Sequence, residues 1–165
     1  MAPILSLVEG MVAERSVLAD GTLLSVTRNG ESRLWVPAPG VIQGRVHGYG
    51  STALMDAIIA DMKRLIGSQA GWLVFSDYRD ATGYDAEARL AAIKWTASVR
   101  SQIARQLILV GTPLLAMGVA VASLALKGLV RGTTDRVTFR HELDVAVGEA
   151  RRRKQASLIP GRDGN

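Results

Sequence analysis

The sequence predicts a single α/β domain, a mostly parallel sheet with helices preceded by an amino-terminal β meander. Three observations carry this expectation. Short runs of β-forming residues open the chain, each followed by residues suited to a tight turn. From residue 51 onward the hydrophobic period switches between helical stripes and compact apolar runs. Strands then alternate with helices to the end, an order that calls for parallel pairing through crossover helices.

Each element follows from its residues. Val17 and Leu18 precede a turn at 19–22, and the run 23–27 precedes Asn29 and Gly30, a hairpin pair. A strand at 33–36 ends at Pro37, Pro39 and Gly40, because proline cannot donate to a ladder. Residues 41–47 resume the extended pattern. Leu54, Ala57, Ile58, Met62 and Leu65 then recur at helical spacing, with Ser51 or Thr52 as cap and Gly67 as stop.

The run 72–75 is wholly apolar, as expected of a strand covered on both faces. Asp85 is placed to cap a helix whose stripe is Ala88, Ala92, Trp95, Val99 and Ile103. Residues 107–110 read as the next buried strand. Pro113 suits the first turn of a helix running through Leu114, Met117, Val121 and Leu124 to Gly128. A strand at 137–139 and a helix carrying Leu143, Ala146, Val147 and Ala150 complete the order. Residues 155–165, rich in Ser, Pro, Gly and polar side chains, read as a flexible tail.

Composition narrows the chemistry. The 165 residues can bury one substantial core without a second domain. Cysteine is absent, which excludes disulfides, thiolate metal sites and thiol redox chemistry and is compatible with a reducing compartment. His47 and His141 stand far apart with no carboxylate at ligand spacing, so no metal is expected. The amino terminus lacks the pattern of a signal peptide, and a cytoplasmic location is the expectation. Much of the +5 net charge sits in residues 151–154, at the close of the last helix. Cations are favoured there by the helix dipole, and no aromatics interleave as base-stacking platforms, so nucleic acid is not the expected partner.

Residues 107–126 carry no charge and are long enough to cross a bilayer. Gly111, Thr112 and Pro113 interrupt the run where a strand-to-helix turn belongs, so membrane insertion is not the expectation. As a helix, residues 114–121 are apolar around nearly the whole circumference. Leu114, Leu115, Met117 and Val121 are therefore expected to meet a non-polar ligand, another protein or a second copy of the chain.

No P-loop, dinucleotide fingerprint or Gly-x-Ser-x-Gly elbow is present, and no cofactor is expected. The one dense polar cluster is 76–85, after the apolar strand and before the second long helix. It reads either as a loop with a capping Asp85 and a local Arg79–Asp80 pair, or as a binding surface at a strand end. Catalysis by Asp77, Asp80 and Asp85 would need those carboxylates to converge in a pocket.

That cluster, with the order of elements around it, resembles the STAS/SpoIIAA-like family across residues 32–154; residues 1–31 are then a β extension of the same domain. In the family an acidic residue ends the central strand, and an Asp-Ser-Ser/Thr-Gly motif opens the next helix. Asp77 looks like the strand-end acid, and Asp85 stands where the motif's Asp would. Ala86 occupies the place of the Ser that a kinase phosphorylates in regulated antagonists, and Glu87 and Ala88 also break the motif, so the phosphorylation switch is not carried over. Gly83, Tyr84 and Asp85 look more like the divergent SpoIIAA-like branch. The resemblance implies a non-catalytic signalling or protein-interaction module, binding its partner through Asp80, Thr82, Tyr84, Asp85 and Arg89. The alternative it implies is a carrier of a non-polar small ligand, with the apolar helix as a cavity wall. A homodimer through an unpaired edge strand of the meander is a further expectation.

Overall fold

Seven strands form one sheet whose spatial order is the order of the chain. The structure, a computed structural model, describes residues 12–158. Strands β1 (Glu14–Val17), β2 (Leu23–Val26), β3 (Gly30–Ala38) and β4 (Val41–Gly50) pair antiparallel as a meander. Strands β5 (Trp72–Tyr84), β6 (Ile103–Val110) and β7 (Val130–Thr133) continue outward from β4 in parallel. Helices α1 (Thr52–Ile66), α2 (Ala86–Ser98) and α3 (Pro113–Ala125) make the crossovers, and α4 (Arg136–Ser157) follows β7.

The expected α/β architecture, parallel strands joined by crossover helices behind an antiparallel meander, is thus observed, and the described part of the meander extends the sheet. Residues 1–11, the start of the expected β extension, lie outside the described residues, as do residues 159–165 of the expected tail.

Side-chain alternation sorts the core into two layers, because successive residues of a strand point to opposite faces. Val46 of β4, Ala81 of β5 and Ile108 and Val110 of β6 meet Leu54 of α1 and Leu115 and Val119 of α3. Ile42 and Val74 meet Met62 and Ile66 of α1 on the same side. Val41, Phe75, Leu107 and Leu109, offset by one residue, meet Phe139, Ala146 and Ala150 of α4. Phe75 and Phe139 pack edge to face with ring centroids 5.9 Å apart, a favoured aromatic geometry.

The meander is pinned to α1 by a buried carboxylate. Asp61 accepts from Ser25 Oγ at 2.9 Å and pairs with the guanidinium of Arg15. Both Asp61 and Ser25 are buried, so this bond ties two strands of the extension to the first helix.

Several boundaries differ from expectation. The apolar run at 72–75 is only the start of β5, which continues as strand through the polar residues to Tyr84, where a loop was expected. Those residues pair with residues through Gly50 of β4, and the ladder satisfies their backbone groups. Two bulges occur on the way, since Arg45 and His47 pair with Asp77 and Asp80, and Gly48 and Tyr49 with Ala81 and Gly83. Ile103 begins β6 and does not extend α2, which ends at Ser98.

The expected strand at 137–139 is the first turn of α4, and the seventh strand lies earlier, at β7. Asp135 starts that helix by accepting from the Val137 N–H at 2.9 Å and from the Thr138 hydroxyl at 2.5 Å. Helix α4 also runs to Ser157, past the basic residues 151–154 and past the expected start of the tail. Residues 107–126 are divided between β6 and α3, and among the described residues no helix is long and apolar enough to cross a membrane.

Candidate functional site

Helix α2 packs chiefly on α1 and touches α3 more lightly, while Ile93 and Trp95 reach from it to the core on the sheet. The space beneath it is a cavity of about 120 Å³. Its floor includes Val46, Tyr78 and Ile108, and its walls include Ile58 of α1, Ile93 of α2 and Val119 of α3. A second chamber of about 50 Å³ adjoins it and shares Met55, Ile58, Tyr78, Ala92, Thr96 and Gln106 with it. Ser32, Arg45, Ser76 and Trp95 make the smaller chamber the more polar of the two.

Glycines shape the rim. A Cβ on Gly118 of α3 would lie 2.9 Å from Cζ of Tyr84 and nearer still to its hydroxyl, so the bare backbone lets the ring lie against the helix. The Tyr84 hydroxyl reaches the carbonyl of Leu114 at 3.5 Å. Gly132 of β7 similarly makes room for Val119, whose Cγ1 would be 2.8 Å from an added Cβ. That contact seats α3 over the parallel end of the sheet.

Among the described residues Arg89 is the one charged side chain lining the larger chamber. Its Cζ lies 5.9 Å from the centroid of the Tyr84 ring, within cation–π range. Its Nε is buried and has no hydrogen-bond partner among the described residues. Trp95 Nε1, at the smaller chamber, is likewise buried and unpartnered among them. Burial pushes the Tyr78 phenol above its ordinary pKa, opposed in part by a hydrogen bond involving Ser76.

The sequence-designated polar residues separate into distinct roles. Tyr84 and Arg89 meet at the cavity. Asp85 stands at the N-cap position of α2 yet makes no side-chain bond to that helix. Its carboxylate crosses to α1 instead, accepting from the Thr52 backbone N–H at 2.8 Å, the Thr52 hydroxyl at 3.2 Å and the Tyr49 hydroxyl at 2.9 Å. The expectation of a cap on its own helix is corrected to a brace on the first turn of its neighbour, where unpaired N–H groups favour an anion. The Thr52 N–H foremost, then the Tyr49 hydroxyl, hold Asp85 below its ordinary pKa.

Asp80 is exposed and pairs with Arg45 at 2.5 Å, so the expected local pair with Arg79 is replaced by one across strands. That hydrogen bond lowers the Asp80 pKa. Arg79 instead binds Asp77 through Nε at 2.9 Å and Nη2 at 2.6 Å. Burial alone would raise the Asp77 pKa, but the bonds from the Arg79 side chain and N–H outweigh it and the net direction is down. Thr82 is exposed on the same strand. Asp77, Asp80 and Asp85 therefore each answer to a different partner, and none of them lines either chamber. Among the described residues no three His, Cys, Asp or Glu side chains gather as metal ligands.

Helix α3 shows two faces. Leu115 lines the cavity, together with Gly118, Val119 and Ala122. Leu114, Met117, Val121 and Leu124 turn outward, with exposures of 54%, 64%, 47% and 83%. The four apolar residues expected to act together, Leu114, Leu115, Met117 and Val121, thus divide between an inner and an outer surface. Ile93, Thr96, Gln106 and Tyr78 were not foreseen at the site. The small side chains Ala92, Gly118 and Ala122 of α2 and α3, all of which line the larger chamber, were the signal in the sequence that these helices leave space there.

No protein-family model matches the sequence, and no curated protein matches it. Among solved structures, the chain is similar to an uncharacterised protein from Shewanella loihica PV-4, of the DUF3478 family and with a SpoIIAA-like fold. The two share 10% sequence identity and a TM-score of 0.52, over 80% of this chain and 95% of that one. At that identity the likeness concerns the fold, which is SpoIIAA-like.

Proposed function

We propose that this chain is a non-catalytic carrier of a small, mainly non-polar ligand, held between α2, α3 and the sheet. The observation that supports this reading is the cavity itself. A space of about 120 Å³ with largely aliphatic walls is close in size to engineered cavities of roughly 150 Å³ that stay dry and take up benzene. Natural pockets likewise combine apolar walls with a few placed polar groups; here those are Tyr78, Tyr84, Arg89, Thr96 and Gln106. Native mass spectrometry on protein purified without detergent tests the reading. A retained small-molecule mass, lost in a variant whose cavity is filled, supports it; a ligand-free spectrum together with no uptake of any apolar probe refutes it.

A second reading is a protein-interaction module, favoured by the outward stripe of Leu114, Met117, Val121 and Leu124, since contiguous exposed apolar surface marks contact sites. A photo-crosslinking residue at position 117 in producing cells tests it against a control at the exposed Asp144. One discrete adduct specific to position 117 supports a partner; equal, diffuse labelling at both positions counts against one.

A further inference from the structure

The polarity of the cavity is uneven, and the unevenness specifies a ligand class. Helix α2 presents Arg89, Ala92, Ile93 and Thr96 to the larger chamber. From Arg89 to Thr96 is seven residues, or roughly 10 Å of helix. At one end stands Arg89, the only charge among the described residues that line this chamber; along the rest the walls are mostly aliphatic. Among the described residues no carboxylate lies within ion-pair distance of Arg89, although six other arginines have one: Arg15, Arg33, Arg45, Arg79, Arg105 and Arg131. The nearby Asp85 is not available, because both its oxygens are taken by Thr52 and Tyr49.

A half-buried guanidinium with an unsatisfied Nε costs free energy unless an anion completes it. The Tyr84 ring supplies a cation–π contact but accepts no hydrogen bond in the guanidinium plane. We infer that the cavity ligand is a small amphiphilic monocarboxylate, its hydrocarbon body lying along α2 and its carboxylate pairing with Arg89 at the rim. The planar fork of arginine matches a carboxylate, and the same fork gives no advantage to a neutral alcohol or an amine. The cavity volume suits a chain or ring of about six to eight carbons. This inference rests on the carrier reading and adds the sign and chemistry of the ligand's head.

The experiment compares octanoate, 1-octanol and octylammonium by isothermal titration calorimetry on the full chain and on Arg89→Gln and Arg89→Lys. Their common tail probes the cavity, and their heads probe Arg89. The expected result is octanoate bound at least about tenfold more tightly than octanol, with octylammonium weakest, as one charge-assisted hydrogen-bonded pair should give. Arg89→Gln should bring octanoate to within about threefold of octanol while leaving octanol unchanged, and Arg89→Lys should restore part of the preference. Equal binding of octanoate and octanol by the unaltered chain overturns the inference and leaves the carrier reading standing. Failure of all three to bind overturns both.

Discussion

The ring of Tyr84, at the end of β5, lies directly against the backbone of Gly118 in α3, with no room between them for a methyl group. Glycine in a helix interior costs about 1 kcal/mol relative to alanine, and this contact is what it permits. Gly118→Ala should change stability little by itself, because the propensity gain is offset by displacing the Tyr84 ring. In a Tyr84→Ala background the same substitution should stabilise by about 1 kcal/mol. Urea denaturation of the four proteins measures the coupling. An identical effect of Gly118→Ala in both backgrounds would refute the contact.

Asp85 joins two helices, and its charge should matter at the pH values where it is held. Its folded-state pKa lies below the ordinary 3.8 because of Thr52 and then Tyr49. A lowered carboxylate pKa stabilises the fold above the unfolded-chain value, and that contribution fades as pH falls through the folded-state value. Asp85→Ala should therefore cost about 1 kcal/mol at pH 7, a modest figure for a solvent-accessible group. The difference between variant and parent should shrink below pH 4. Chemical denaturation at pH 7 and pH 3 tests this, and a difference that is unchanged or larger at pH 3 would contradict it.

Asp61 offers a sharper test of what holds the meander. It is only 4% exposed and is satisfied by Ser25 and Arg15. Asp61→Ala leaves Arg15 and Ser25 without their partner and should cost about 3 kcal/mol. The loss should be local first, with hydrogen exchange at β1 and β2 accelerating more than at β5 and β6. Uniform acceleration across the sheet would show that the meander has no separate dependence on this bond.

Elements with one dominant signal were legible in the sequence, and those decided by pairing were not. Helix α1 combines an apolar stripe, the Ser51 cap and the Gly67 stop, and it falls where the periodicity puts it. The apolar strand at 107–110 and the helix opened by Pro113 are equally plain. Strand β5 beyond Phe75 carries Asp77, Arg79, Asp80 and Gly83, residues poorly suited to strands in isolation. It is extended because β4 pairs with it through Gly50, a non-local fact absent from local composition. Val137, Thr138 and Phe139 have the opposite history: β-branched and aromatic side chains suggest a strand, but Asp135 caps them into a helix whose Phe139 packs on Phe75. The two faces of α3 were hidden because an all-apolar helix has no stripe to read; only Gly118 and Ala122 hinted at the inner one. The acidic residues at 77–85 were visible as a cluster, and Asp77 has its partner two residues on in Arg79, while the pairings of Asp80 and Asp85 depend on Arg45, Tyr49 and Thr52, 33 to 36 residues away.

The cavity makes a prediction in which stability and binding move in opposite directions. Ala92 of α2 lines both chambers, so a larger apolar side chain there should occupy existing space and cause little overpacking. Ala92→Leu should raise stability by about 1 kcal/mol, through added apolar burial and restored packing contacts. It should also weaken octanol and octanoate by a similar factor, because it fills the tail site and leaves Arg89 untouched. Thermal unfolding and the same calorimetric titrations measure the two effects on one variant. A destabilised Ala92→Leu that still binds both probes would mean that α2 closes on the sheet in solution and that ligands, if any, bind elsewhere. A stabilised variant with undiminished binding would separate the void from the binding site and point to the outer face of α3 instead.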